Sequence, residues 1–121
     1  MPLLPNLTPN ERAAIGEYVA RIDDRFPGRV FSVILFGSKA RGDADAESDI
    51  DLLVRVDVES GEFGSELWRV ASDVSLEYNV VLSVRVYAQA RLAEARRMRL
   101  PLCRAVVADG VPLTPEHIPS R

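Results

Sequence analysis

Two apolar runs, Val30-Phe31-Ser32-Val33-Ile34-Leu35-Phe36 and Leu52-Leu53-Val54-Arg55-Val56, bracket the polar stretch GSKARGDADAESDID from Gly37 to Asp51. That bracket constrains the fold more than any other feature of the chain. The β-branched and aromatic content of the runs suits buried strands, so a small-residue turn and an acidic pair fall at strand ends. Side chains alternate along a strand, which puts Asp49 and Asp51 on one face while Ile50 and Leu52 turn into the core. Two carboxylates on one face suit a hard divalent cation such as Mg²⁺, whose octahedron is completed by waters and substrate phosphates. Gly37 allows backbone to approach a ligand closely. Ser38 and the amides after it can donate to phosphate oxygens if a helical turn begins there. Gly-Ser alone marks any loop and Asp-x-Asp alone any solvated edge; the two together between apolar runs describe a nucleotide-triphosphate site.

The rest of the sequence predicts elements in the order α-β-β-α-β-α, an α/β (α+β) domain with a small mixed sheet backed by helices. Thr8-Pro9-Asn10-Glu11 has the form of a capping box with proline at the first helical position, opening a helix whose apolar stripe is Ile15, Tyr18, Val19, Ile22 and Phe26 and which stops at Pro27-Gly28. Glu59-Ser60-Gly61-Glu62 precedes a helix with Phe63, Leu67, Val70, Ala71 and Val74 at helical spacing, ended by Asn79. A third strand is expected over Val80 to Val86, a helix over Gln89 to Met98 and a short one over Pro101 to Ala108, closed by Gly110. Val111-Pro112-Leu113 can add an edge segment.

At 121 residues the chain is expected to form a single domain over 1–121, with 112–121 as a flexible tail. The start lacks the basic and long apolar character of a secretory signal, and no apolar run approaches the roughly 20 residues of a membrane span; a cytoplasmic protein without membrane contact is expected. Cys103 is the only cysteine, which excludes an intrachain disulfide and a cysteine zinc cluster and leaves it as packing material. His117 is read as a solvated residue of the tail, and Asp43, Asp45 and Glu47 as solvated loop acids.

The segment resembles the signature of the polymerase-β-like nucleotidyltransferase superfamily, and within it the minimal nucleotidyltransferases, or MNT proteins. Their pattern of Gly-Ser, a ten-residue spacer and Asp-x-Asp is matched by Gly37-Ser38, Lys39 through Ser48 and Asp49-Ile50-Asp51, with the favoured Ala-Arg-Gly at Ala40-Arg41-Gly42. The resemblance implies transfer of a nucleoside monophosphate from a nucleotide triphosphate, ATP being the expected one, to a hydroxyl, with Mg²⁺ on Asp49 and Asp51. Gly37, Ser38, Lys39 and Arg41 are then the phosphate-binding candidates. Many members are antitoxins paired with a HEPN-type ribonuclease toxin, so a protein partner of that kind is implied. Larger relatives that use extra domains to hold aminoglycosides or tRNA ends are excluded by length.

The sequence departs from the superfamily in one place. Active members carry a third carboxylate on the next strand, and Val80 to Val86 contains none; alternation leaves Ser83 or Arg85 at that position, neither an anionic ligand nor a general base. Glu77, the nearest acid, falls at the end of the preceding helix. Two readings follow: a transferase, or a degenerate nucleotide-binding protein that neutralises its partner by occlusion.

The net charge of −3 argues against general nucleic-acid binding. Residues 85–104 differ, with six arginines (Arg85, Arg91, Arg96, Arg97, Arg99, Arg104) and one acid, Glu94, against nine basic and seventeen acidic residues elsewhere. They form either a solvated helix face or a docking surface for an acidic partner or an RNA backbone. Leu100, Leu102, Val106 and Val107 outnumber what one face of a short helix buries, which predicts a partner or self-association surface.

Overall fold

Thr8 and Glu11 close the capping box expected of them. The Glu11 amide donates to Thr8 Oγ1 at 3.1 Å, and the Thr8 amide donates to Glu11 Oε1 at 2.9 Å. Helix α1 (Pro9–Arg25) starts there, with proline at a position whose N–H the helix does not need. The computed structural model describes residues 7–41 and 49–113, with backbone alone for Ser38, Arg41, Ala108 and Asp109. Gly42, Asp43, Asp45, Glu47 and His117 lie outside the described residues.

Strands β1 (Val30–Phe36), β2 (Ile50–Val56), β3 (Leu82–Ala88) and β4 (Val111–Pro112) form one mixed sheet in the order β3-β2-β1-β4. The β1–β2 and β1–β4 pairs are antiparallel and β2–β3 is parallel. A parallel pair requires a crossover, supplied by α3 (Gly61–Tyr78). Ser60 caps its start, accepting from the Phe63 amide at 3.1 Å. Asn79 ends it in the left-handed conformation, φ 56°, that asparagine tolerates better than most residues.

One face of the sheet, with Val33, Leu35, Ile50, Leu52, Val54, Leu82 and Val84, packs against the stripes of α1 and α3 in a single apolar cluster. All five expected apolar positions of α3 are buried, as are Ile15, Tyr18 and Ile22 of α1. Tyr18 satisfies its hydroxyl by donating to the Leu67 carbonyl at 3.2 Å, and burial pushes the phenol's pKa up, keeping it a neutral donor. On the other face α4 (Gln89–Arg97) touches β2 and β3, while α5 (Pro101–Asp109) touches β1. Phe36, Leu53, Ala95 and Cys103 are buried outside the main cluster. No helix among the described residues is long and apolar enough to cross a membrane.

Three boundaries differ from expectation. Strand β3 starts two residues later than Val80, because the end of α3 holds that segment: the Val80 amide donates to the Ser75 carbonyl and the Leu82 amide to Ser75 Oγ at 3.0 Å. It runs on to Ala88, whose amide donates to Glu59 Oε2 at 2.8 Å. The segment from 112, expected to be tail, begins as structure: Pro112 pairs with Ile34, and Leu113 is buried with its amide on the Val33 carbonyl at 2.9 Å. The helical turn allowed for after Gly37 is present as the one-turn helix α2 (Ser38–Arg41), at the start of the motif spacer.

Helix α2 is bound to α1 by a buried ion pair, Lys39 Nζ to Glu11 Oε2 at 2.6 Å, both side chains less than a tenth exposed. Burial by itself raises the Glu11 carboxyl pKa, but the hydrogen bonds from Lys39 and Thr8 together with the lysine's charge outweigh it and hold the pKa below its ordinary value. A depressed carboxylate contributes stability that is present above the ordinary value and lost as pH falls through the folded one. Lys39→Ala, which strands the Glu11 charge, is therefore expected to lower unfolding stability by about 3–5 kcal/mol at neutral pH, with the deficit shrinking under acid. Urea unfolding at neutral and acid pH checks this. A deficit below about 1 kcal/mol, the size of a surface pair, would show that the pair does not hold α2 in place.

Candidate functional site

The turn between β1 and α2 is built around Gly37, which has φ +79°, a region costly for a residue with a side chain. The second reason for glycine is contact: a Cβ at this position would collide with the Asp51 carboxylate. The strand register pairs Phe36 with Asp51, so the end of β1 brings the turn and that carboxylate to one place. Helix α2 begins at once, with the Ala40 amide donating to the Gly37 carbonyl at 3.1 Å. The first N–H groups of a helical turn are not consumed by its own ladder, and a polypeptide start of this kind favours anionic oxygens. The helical turn required for phosphate contacts is thus present after Gly37.

Asp49 is exposed just before β2, and Asp51, half-buried, lies within it. Alternation sets them on the same face, so the pair offers hard oxygen donors of the type that Mg²⁺ takes. Asp49 also lines a cavity of about 220 Å³ with Trp68, Ser72 and Ser83. In the parallel register Ser83 stands opposite Asp51, and Arg85 opposite Leu53. Of the two residues left at the third-acid position, the sheet therefore selects Ser83. No group of three or more His, Cys, Asp or Glu side chains able to hold a metal occurs among the described residues. Glu77 does not fill the gap, because Arg21 grips it with hydrogen bonds of 3.0 and 2.7 Å. Those bonds, outweighing partial desolvation, hold its carboxyl below the ordinary range.

Lys39 lies on the inner side of α2. Its side chain is buried, with the ammonium on Glu11, because α2 turns this residue toward the start of α1. In this conformation its charge supports the turn rather than lining the open side. The backbone of Arg41 ends α2, and that of Ser38 starts it.

Trp68 was missed from the sequence. It is 62% exposed on α3, off the apolar stripe of that helix, and a large aromatic on the polar face was the signal that marked it. A groove of about 740 Å³ runs from Ser83 through Tyr87 along the open edge of β3, with Trp68, Gly64 and Arg91 among its walls. It shares Trp68 and Ser83 with the cavity at Asp49. The groove reaches the carboxylate end of the sheet at Ser83 and Trp68, and continues past Tyr87 to Glu59 and Arg91 at the other end.

A mixed α/β domain that sets a glycine turn and a one-turn helix against the Asp51 carboxylate is the class of structure found. More narrowly, the sequence matches the nucleotidyltransferase domain family over residues 15–103, and the chain belongs to that family. Two Methanocaldococcus jannaschii proteins bearing the name "Putative protein adenylyltransferase" are similar to it. One is 39% identical over 80 residues, 66% of this chain and 76% of its own length; the other is 36% identical over 74 residues, 60% and 75% respectively. The fold matches a toxin-antitoxin protein crystallised with AMP-PNP, with TM-score 0.55 and 23% identity over 80% of this chain and 69% of that one. It also matches the MntA-HepT toxin-antitoxin structure, with TM-score 0.50 and 20% identity over 84% and 69%. The nucleotidyltransferase fold expected from the motif is the fold found.

The Gly37–Asp51 contact yields a controlled test. Gly28 has the same φ, +79°, but a Cβ there meets nothing within 4 Å. Gly28→Ala and Gly37→Ala are each expected to cost about 1–2 kcal/mol of stability from backbone strain. Only Gly37→Ala should also lose nucleotide-triphosphate binding by calorimetry, since only there is the carboxylate displaced. Equal binding by both variants would remove the turn from the site.

Proposed function

We propose that the protein is an Mg²⁺-dependent nucleotidyltransferase that moves a nucleoside monophosphate from a nucleotide triphosphate, ATP in the first instance, to a hydroxyl of a partner protein. The setting is that of a cytoplasmic antitoxin paired with a HEPN-type toxin. One observation carries the reading: the Asp51 carboxylate is packed against a glycine turn that opens into a helix, with Asp49 exposed beside it. The names of the relatives and the toxin-antitoxin neighbours support it.

In this mechanism Asp49 and Asp51 hold Mg²⁺, which when bound neutralises charge on the triphosphate. The turn at Gly37 and Ser38 orients the outer phosphates through backbone donors, leaving the α-phosphorus open. The acceptor oxygen attacks that phosphorus, the bond to pyrophosphate breaks, and the hydroxyl proton passes to water. Catalysis by these residues is positioning and electrostatic stabilisation. Arg41 remains the candidate for added phosphate neutralisation, with Lys39 in support from the interior. Asp49→Asn combined with Asp51→Asn is expected to abolish Mg²⁺-dependent ATP binding in calorimetry while leaving the unfolding transition in place. Undiminished affinity would sink the site assignment.

A second reading rests on Ser83. The residue in register with Asp51 is a hydroxyl and not an acid, and a protein lacking a positioned base can bind nucleotide and neutralise its partner by occlusion alone. The register makes the choice testable. Ser83→Asp is expected to raise label transfer from α-labelled ATP to the partner by roughly 10²–10⁴-fold, whereas Arg85→Asp, opposite Leu53, should not. Fast transfer by the unaltered chain, unchanged in Ser83→Asp, would show that no third acid is needed here.

A further inference from the structure

The turn joining α4 to α5 has an arginine where a glycine is favoured. Arg99 has φ 55°, its amide donates to the Arg96 carbonyl at 3.1 Å, and the Leu100 amide donates to the Ala95 carbonyl at 3.2 Å. This is the hydrogen-bond pattern of a helix end that glycine normally closes. Arg99 thereby lines, with Arg96 and Arg104, a cavity of about 300 Å³ whose apolar lining is Cys103 and Val107. None of these three arginines makes an ion pair or side-chain hydrogen bond to a described residue, unlike Arg97, which pairs with Glu94, and Arg91, which pairs with Glu59. Apolar surface continues around the rim, with Met98 63% and Val107 74% exposed.

Three like charges, none of them paired among the described residues, repel one another around an apolar lining, and an arriving carboxylate relieves that repulsion. Arginine suits it, since the planar fork binds a carboxylate through two hydrogen bonds. A long polyanion would also feel the rest of the chain, whose seventeen acidic and nine basic residues repel it. A short acidic segment feels chiefly what lies within a screening length of about 8 Å. The lining also lacks the aromatic faces on which nucleic-acid bases stack. We propose that the cavity between α4 and α5, rimmed by Arg96, Arg99 and Arg104, docks an acidic segment of a partner protein that inserts an apolar side chain onto Cys103 and Val107. The site works without nucleotide or transfer, so it stands apart from the reading of the Gly37–Asp51 site.

The test uses the full chain and a fluorescein-labelled amphipathic helical peptide of Glu and Leu, followed by anisotropy. The peptide is expected to bind and to loosen as salt is raised. Arg99→Gly, which removes the guanidinium and suits the backbone, should weaken binding about tenfold without lowering the thermal midpoint, and Arg96→Gln with Arg104→Gln about a hundredfold. ATP binding by Arg99→Gly should match that of the parent, which separates this site from the nucleotide site. The proposal is overturned by absence of binding, by equal binding of a Lys and Leu peptide, or by unchanged affinity in both variants. It is equally overturned if oligoadenylate RNA or Mg·ATP displaces the peptide, or if sedimentation shows a dimer that the variants dissolve, since the occupant would then be RNA, nucleotide or a second copy.

Discussion

The register of β2 is the constraint on which the remaining structure depends. This strand pairs on both sides, with β1 antiparallel and β3 parallel, and a slip of one residue would exchange its two faces. The carboxylates of Asp49 and Asp51 would then point into the cluster formed by Ile50, Leu52, Val54 and their partners, at the cost of burying unpaired charge. The apolar face thus fixes the register, and the register fixes the chemistry. It brings Phe36, and with it the Gly37 turn, to Asp51 from one side and Ser83 from the other.

The Lys39–Glu11 pair shows how that arrangement is held from outside the sheet. Glu11 serves the first turn of α1 and the first turn of α2 together, through Thr8 on one oxygen and Lys39 on the other. A one-turn helix has little stability of its own, because nucleation costs more than one hydrogen bond returns. Anchoring its second residue to a 17-residue helix supplies the missing constraint. A lysine adjacent to a phosphate-type turn reads in sequence as a phosphate ligand; the structure adds a pairing with Glu11 to that reading. That pairing was not legible because it depends on α1 lying against the motif, a contact 28 residues apart.

What was legible followed from local rules. The capping box at Thr8, the breaks at Pro27-Gly28 and Asn79, and the apolar stripe of α3 each express a short-range preference that the tertiary structure also satisfies. Both strands around the motif, and the helical turn after Gly37, were likewise open to inference from residue type. Boundaries set by distant partners were not. Strand β3 is displaced because Ser75 and Glu59 capture its ends, and although an edge segment at Val111-Pro112-Leu113 was expected, its partner strand β1 and the burial of Leu113 were set by the tertiary structure. Trp68 had a signal, an aromatic off the apolar stripe, but its meaning needed the neighbouring edge of β3.

Alternation alone left Ser83 and Arg85 equal, since both share a face of β3 with the missing acid. The parallel pairing breaks the tie, and in a way that separates binding from chemistry. Serine stands opposite Asp51, whereas Arg85, one pleat further on, stands opposite Leu53, whose side chain is fully buried. An arginine opposite Asp51 would have competed with a metal for the carboxylate; a hydroxyl does not. On the proposed reading, the sheet would hold metal and triphosphate through Asp49, Asp51 and the Gly37 turn, with a hydroxyl and not an acid in register with Asp51. The proposed nucleotide site and the proposed partner site draw on different elements, β2 with the Gly37 turn for the one and α4 with α5 for the other, so a change that slows transfer at the first need not disturb docking at the second.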